Sequence, residues 1–253
     1  MIDSMLTTNP YGAAVLAGGS LQTAGISVDA FAHWLNHELA PLADSNKLCW
    51  LTFNGAETAF IAPALQHGFV YHHVQGTDIT LVKRLQPDAY LPLAATHSIG
   101  VGAAVFNHLG QILLVREWPL PGKKPAYFKL PGGMVETREH FVEALQREVL
   151  EETGVVAVFQ GWFAMRHHHQ GQFGASNLYL VARLSSQQTD VRADLREIAE
   201  AGWFDPQAFL ADPLAHSYNK LLVQGALESP IWTARELPAY QAGPLGFELF
   251  QGL

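Results

Sequence analysis

Residues 133–155 read GMVETREHFVEALQREVLEETGV. Gly133 is followed, after five residues, by Glu139. Seven residues later comes the run Arg147-Glu148-Val149-Leu150-Glu151-Glu152-Thr153-Gly154-Val155. Phe141, Val142, Leu145 and Val149 recur at helical spacing, which predicts a helix from about Arg138 to Thr153 with one apolar stripe facing a sheet. Thr137 is the expected N-cap, and Glu139 falls in the expected first turn, where the helix dipole favours an acid. Gly154 is the expected terminator. Upstream, Tyr127-Phe128-Lys129-Leu130 reads as a strand ended by Pro131-Gly132-Gly133. Glycines there permit positive φ and a close approach of backbone to a ligand.

Glu148, Glu151 and Glu152 stand at i, i+3 and i+4, so they leave one face of the helix within about one turn. Three like charges so close destabilise a helix unless something positive lies among them. Oxygen-only ligands with room for phosphate and water suit Mg²⁺ or Mn²⁺. Arg147 is placed to pair with Glu143 or Glu151 and to orient them. A solvated acidic helix face is the plain alternative for such a triplet taken alone.

The spacing as a whole, G-x5-E-x7-R-E-U-x-E-E-x-G-U with U aliphatic, is met at every position. In this the chain resembles the Nudix hydrolases. The resemblance implies an α/β/α sandwich and divalent-metal-dependent cleavage of a nucleoside diphosphate linked to another group. It makes Glu148 and Glu152 the primary metal ligands and Glu151 a further or water-mediated one. Glu139 then supports the helix, and a carbonyl of Gly132 or Gly133 can touch metal.

The chain has 253 residues, 49% of them hydrophobic, enough for one large domain or two small ones. Net charge is −8, but Glu136, Glu139, Glu143, Glu148, Glu151 and Glu152 fall in one short stretch, so much of the acidity is local. Only 15 Lys+Arg and no basic run argue against nucleic acid as a partner. Cys49 is the single cysteine, so no disulfide forms within the chain, and it reads as a small buried hydrophobe. The first residues lack a basic run before an apolar one, and no apolar run approaches the roughly 20 residues of a membrane span. These features lead us to expect a soluble cytoplasmic protein.

Residues 1 to about 25 show no clear periodicity. Ser27 opens a helical pattern through Val28, Phe31, Trp34, Leu35, Leu39 and Leu42. A strand is expected at 48–53, a short helix at 56–66, and strands at 69–74 and 79–85. This describes a small α/β module over residues 1–95. From residue 96 the pattern changes, and residues 96–253 form the second expected domain. Ser98–Phe106 and Gln111–Val115 read as strands joined by a turn at Asn107-His108-Leu109-Gly110. Further strands are expected at 155–163 and 176–184, with Trp203-Phe204 closing the last. Pro206 starts a short helix, and 218–226 reads as another.

Similarity extends beyond the helix. Thr96-His97-Ser98-Ile99-Gly100-Val101-Gly102, Met165-Arg166-His167-His168-His169 and Phe173-Gly174-Ala175-Ser176-Asn177-Leu178-Tyr179 resemble the plant ADP-ribose/NADH pyrophosphatases and the animal antisense-fibroblast-growth-factor Nudix subfamily. Asn177 departs from the Asp usual there. The resemblance implies Arg166, His169 and Ser176, with Gly132 and Gly133, as substrate-binding residues, and ADP-ribose or NADH as substrate. It also implies a homodimer, with the N-terminal module at the interface. Neighbouring strand residues point to opposite faces, so His167, His168 and His169 are not expected to share one ion. Lys123 and Lys124, in the Trp118–Tyr127 loop, either meet substrate phosphate or are simply solvated.

Hydrolysis also needs a base that is not itself a metal ligand. The resemblance places such a glutamate just before the Trp203 strand, which implies Glu197, with Glu200 or one of the box glutamates as the alternative. Two other functions stand beside the leading one. Other Nudix substrates, such as nucleoside triphosphates or diadenosine polyphosphates, would use the same box. A non-catalytic nucleotide sensor would be expected to lack box glutamates, and none is missing.

Overall fold

The computed structural model describes residues 2–119, 121–123, 125–238, 240 and 243–252. The chain forms two compact units, Met1–Ala95 and Thr96–Leu253.

The first unit runs β1 (Thr7–Thr8), β2 (Ala13–Leu16), α1 (Ser20–Thr23), α2 (Val28–Leu42), β3 (Leu48–Phe53), α3 (Ile61–Gln66), β4 (Val70–Gln75) and β5 (Asp78–Arg84). Its sheet has the order β1-β2-β3-β5-β4. Ser27 caps α2 by accepting from the Ala30 amide at 3.1 Å. Phe31, Trp34, Leu35 and Leu39 then bury against Cys49, Leu51 and Phe53 of β3. Burial pushes the Cys49 thiol up to about 12, so it stays protonated and packs as an apolar group.

One expectation for this unit needs correction, and one stretch that the sequence left unread is resolved. The first 25 residues, where no periodicity is clear in the sequence, hold β1, β2 and α1, each too short to show a period. The helix expected at 56–66 is two pieces, a 3₁₀ turn at Gly55–Phe60 followed by α3. Asn54 accepts from the Ala56 amide, and the fully buried Glu57 accepts from Gly19 N at 2.6 Å and Gln22 N at 3.0 Å, which tightens that first turn.

The second unit runs β6 (His97–Asn107), β7 (Ile112–Glu117), α4 (Phe141–Thr153), β8 (Val158–His168), β9 (Ser176–Ser186), β10 (Ile198–Phe204), α5 (Pro206–Ala211), α6 (Ser217–Glu228), β11 (Thr233–Ala234) and β12 (Phe250–Gln251). The sheet order is β10-β7-β6-β9-β8; β6 and β9 are parallel and the other pairs antiparallel. Alternation along β6 divides its side chains between two cores. Val101, Ala103 and Val105 pack under Ala144, Leu145 and Val149 of α4. Ala104 faces the other way, toward Phe209 of α5 and Leu222, Val223 and Ala226 of α6. Each fully buried Leu or Val contributes roughly 1.5–3 kcal/mol. A mixed sheet covered on both faces by helices is an α/β/α sandwich.

One feature of the sheet prepares the site. β6 and β7 pair only at Phe106↔Ile112 and then diverge. The chain from Pro131 to Val135 fills the opening. Ala103 N donates to Pro131 O at 2.9 Å, Val101 N to Gly133 O at 2.8 Å, and Val135 N to Ile99 O at 2.9 Å. The strand expected at 127–130 is only a bridge to β7, Val115↔Lys129, because from Pro131 the chain bonds to β6 instead.

Candidate active site

The helix that carries the glutamates starts at Phe141, not near Arg138. His140, not Thr137, is its N-cap residue, and Glu143 turns back to accept from His140 N at 3.2 Å. Glu139 therefore lies in the preceding loop. It accepts from Glu136 N at 2.9 Å and takes a two-pronged pair from Arg147 at 2.7 and 3.0 Å. Folding the loop back in this way puts Arg138 at φ 69°, a conformation that costs about 1–3 kcal/mol in a non-glycine residue. At the other end Gly154, at φ 68°, donates to Leu150 O at 2.8 Å, and Asp194 N donates to Glu152 O at 3.1 Å.

Arg147 is the hub of this face. Besides Glu139 it pairs with Glu148 at 2.9 Å and Glu151 at 3.0 Å, and it donates to Met134 O at 3.1 Å. The pairing expected with Glu143 is not made, because that side chain is spent on the helix start. The Arg147 fork holds Glu139 below the usual carboxylate range.

Glu148 and Glu152 stand one turn apart beside the Gly-Gly segment. Gly132 N donates to Glu152 at 3.0 Å. A Cβ on Gly133 would lie 2.4 Å from the Glu148 carboxylate, and a Cβ on Gly132 would lie 2.1 Å from Val101 O. At position 132 only glycine lets this loop pass against the backbone of β6, whereas at 133 a Cβ would displace the Glu148 side chain. Burial raises both acids above their ordinary values. Glu152, 7% exposed, is pushed up to about 7, with Lys129 and the Gly132 amide opposing and Glu148 adding. Glu148 is raised by burial against the pull of Arg147. Glu151 is half exposed at the rim.

This donor set fits a hard dication. Two desolvated carboxylates and nearby backbone carbonyls supply oxygen only, and a cation would relieve the cost of ionising both acids. Among the described residues, no three acidic, histidine or cysteine side chains stand grouped to hold an ion unaided, because Arg147 draws Glu148 and Glu151 toward itself.

The raised Glu152 has a consequence for stability. In the folded chain this acid holds its proton between about pH 4.5 and 7, where the unfolded chain has already released it. The folded state binds more protons there, so stability falls as pH rises through that window, by on the order of 3 kcal/mol. Metal-free melting curves should show this slope, and Glu152→Gln should flatten it. An unchanged slope in the variant would assign it to another group.

Glu197 lies in the turn before β10 and, with Glu151, Glu152, Asp194 and Arg196, lines a cleft of about 230 Å³. Glu200, the alternative, lies within β10 and is bound to Arg116. Arg166 lies in β8 opposite Tyr179. Its guanidinium is 5.4 Å from the Tyr179 ring and 5.3 Å from that of Tyr218, and it donates to Asn177 at 3.3 Å. Tyr179 reaches back over β6, where a Cβ on Gly102 would meet its hydroxyl at 2.1 Å. Burial raises the Tyr179 phenol, with Tyr218 and Glu152 adding and Arg166 opposing. Tyr179 and Tyr218 thus hold Arg166 on the α6 side of the sheet, and neither ring is identifiable as a site residue from the sequence. The Gly100-x-Gly102 spacing was the available signal, since small residues on one strand leave room for a large one on the next.

His169 and Ser176 are not brought to this group. They bond to each other at 3.1 Å, and the His169 ring lies against that of His167, which meets His97 at 3.0 Å across β9. His167 and Arg166 are adjacent in β8 and face opposite ways, so the three consecutive histidines do not share one face. Lys123 is exposed in its loop, and Lys124 lies outside the described residues.

A NUDIX domain model matches residues 96–224, and a Nudix hydrolase domain model matches residues 7–85. The chain is 30% identical to nucleoside diphosphate-linked moiety X motif 6 of Mus musculus, over 87% of this chain and 73% of that protein. It is 33% identical to Nudix hydrolase 2 of Arabidopsis thaliana, over 62% of this chain and 57% of that one. A crystal structure of a MutT protein from Methanosarcina mazei Go1 is 24% identical with a TM-score of 0.44, covering 53% of this chain and 94% of that one. The chain belongs to the Nudix hydrolases, enzymes that cleave pyrophosphate bonds in nucleoside diphosphate derivatives and generally need a divalent metal. Among the described residues, no helix is long and apolar enough to cross a membrane.

Proposed function

We propose that this chain hydrolyses the pyrophosphate bond of ADP-ribose or NADH with Mg²⁺ or Mn²⁺. The observation that carries the proposal is the pair of carboxylates, buried Glu152 and half-buried Glu148, set against the Gly132-Gly133 backbone. These two acids would hold the ion, with Glu151 at its edge. Arg147 orients Glu148 and Glu151, and the Gly-Gly segment gives phosphate a close approach. A bound dication neutralises phosphate charge and lowers the pKa of water. Arg166 supports the dinucleotide reading. It lies between two tyrosine rings at a groove of about 470 Å³ that Phe163, Leu221 and Leu222 make apolar, suited to one nucleoside end with a cation beside its phosphate. The reading rests on Arg166 rather than on His169 and Ser176, which bond to each other on the opposite face. The test is a panel of ADP-ribose, NADH, nucleoside triphosphates and diadenosine polyphosphates with each metal. AMP with ribose 5-phosphate or reduced nicotinamide mononucleotide is the expected product set. Faster turnover of triphosphates than of both would overturn the substrate assignment.

Glu197 is the proposed general base. It shares the cleft with Glu151 and Glu152, whereas Glu200 is engaged by Arg116. Glu197→Gln should lower kcat by about 10²–10⁴ and leave metal affinity nearly intact. If kcat is unchanged across pH, one of the box glutamates holds the role.

A homodimer through the N-terminal unit is also proposed. Strand β4 is the edge of its sheet and exposes Val70, Tyr71 and Val74. An apolar edge of this kind is normally covered. Sedimentation should give twice 27.7 kDa. A single-chain mass at micromolar concentration would refute it.

A further inference from the structure

The C-terminal tail does something that neither the box nor the sheet requires. Trp232 pairs with Trp162 of β8, and β11 and β12 pair with each other. Phe250 then packs against both Phe159 and Trp162, and Phe141 also packs against Trp162. Between these two anchors the tail crosses the start of α4. There Glu248 accepts from Phe141 N at 2.7 Å and from Val142 N at 3.1 Å, and Leu245 O bonds to His140 Nε2 at 2.8 Å. Glu248 is 19% exposed and lies 3.7 Å from His140 Nδ1.

We infer that Glu248 is a positioning residue for the glutamate face of α4. The inference rests on the metal reading above and deepens it. The first amides of a helix have no partner within it, and a carboxylate there satisfies two donors and complements the dipole. Glu248 supplies both from more than a hundred residues away in sequence. From there a chain of short contacts leads to the site. His140 and Phe141 directly follow Glu139 in the chain; Glu139 grips Arg147 at 2.7 Å, and Arg147 holds Glu148 at 2.9 Å. Glu148 lies seven residues along the same helix, about 10 Å from Phe141 at 1.5 Å rise per residue. Freeing the helix start therefore releases the loop that sets Arg147, and with it the separation of Glu148 from Glu152. An amide in place of the Glu248 carboxylate brings one acceptor where two are needed, and its NH₂ opposes a backbone N–H.

The test compares Glu248→Gln, Glu248→Asp and Glu148→Gln in the full chain. Mn²⁺ binding is read by calorimetry without substrate, and kcat and KM are read with the best substrate of the panel. Glu248→Gln should weaken Mn²⁺ binding about 5- to 20-fold and lower kcat about ten-fold, with KM changed less than three-fold. Glu248→Asp keeps two acceptor oxygens and should recover at least half of that loss. Glu148→Gln should bind Mn²⁺ at least 50-fold more weakly. If Glu248→Gln melts earlier but keeps wild-type Mn²⁺ affinity and kcat, the contact is only a structural cap and the inference is overturned. If Glu148→Gln binds Mn²⁺ like wild type, the metal reading fails. Glu248 is then judged on kcat and its recovery in the Asp variant alone, and an unchanged kcat overturns it.

Discussion

Glu148→Gln and Glu152→Gln are each expected to lower kcat by about two to three orders of magnitude with the fold intact. The size is that of removing one preorganised charge-stabilising group from a site where little else can replace it. The substitution is nearly isosteric, and Glu152 is already held up to about 7, so an amide there mimics the protonated acid that the metal-free fold prefers. Glu152→Gln should therefore melt no earlier than wild type at pH 8, while losing turnover. Glu143→Gln is the control. Glu143 lies on the same helix but away from the metal face; it accepts one bond, from His140 N, which a Gln oxygen can still accept, so Glu143→Gln should change kcat less than a few-fold. Substrate turnover by either site variant at wild-type rates, or full wild-type activity in excess EDTA, would remove the glutamate face from the reaction.

The second large effect is structural. Gly132→Ala should destabilise the chain by roughly 3 kcal/mol or more, since it adds a Cβ 2.1 Å from Val101 O at a backbone φ of 145°. The neighbouring contact is backbone of a central strand, so nothing flexible can move aside. For a chain of this size the melting temperature should fall by about 6–12 °C, and activity should fall with it. Gly202→Ala, on β10, is the contrast: its Cβ would meet the Phe204 ring at an ordinary 3.6 Å. A Gly132→Ala protein as stable as wild type would mean that the loop does not run between sheet and helix as described.

Much of this protein is legible in its chain order. The apolar stripe of α4, the Ser27 cap, the β3 run and the Asn107–Gly110 turn depend on neighbours within a few residues, and periodicity reports such neighbours directly. The grouping of Glu148, Glu151 and Glu152 is legible for the same reason, because i, i+3 and i+4 share a helix face whatever surrounds them. Where α4 begins was not legible. Thr137 is a good cap in isolation, but the Glu139–Arg147 pair and the distant Glu248 move the start to Phe141, and both act through folded contacts. The strand expected at 127–130 failed similarly, because from Pro131 the chain leaves its partner β7 for β6.

What the sequence determined by itself is the kind of chemistry: an acid-bearing helix after a glycine turn, in a sheet protein with enough apolar residues to cover both faces. What only the tertiary structure decided is which of those acids are desolvated, which are tied up, and which distant residues join them. Glu152 is buried, Glu151 is not, and Arg147 chooses Glu139 over Glu143. Arg166 and His169 are three residues apart in sequence, yet Arg166 stacks with Tyr179 and Tyr218 while His169 bonds to Ser176. Spacing along the chain specifies direction on one element. Burial, and therefore charge state, depends on what other elements bring to the same place.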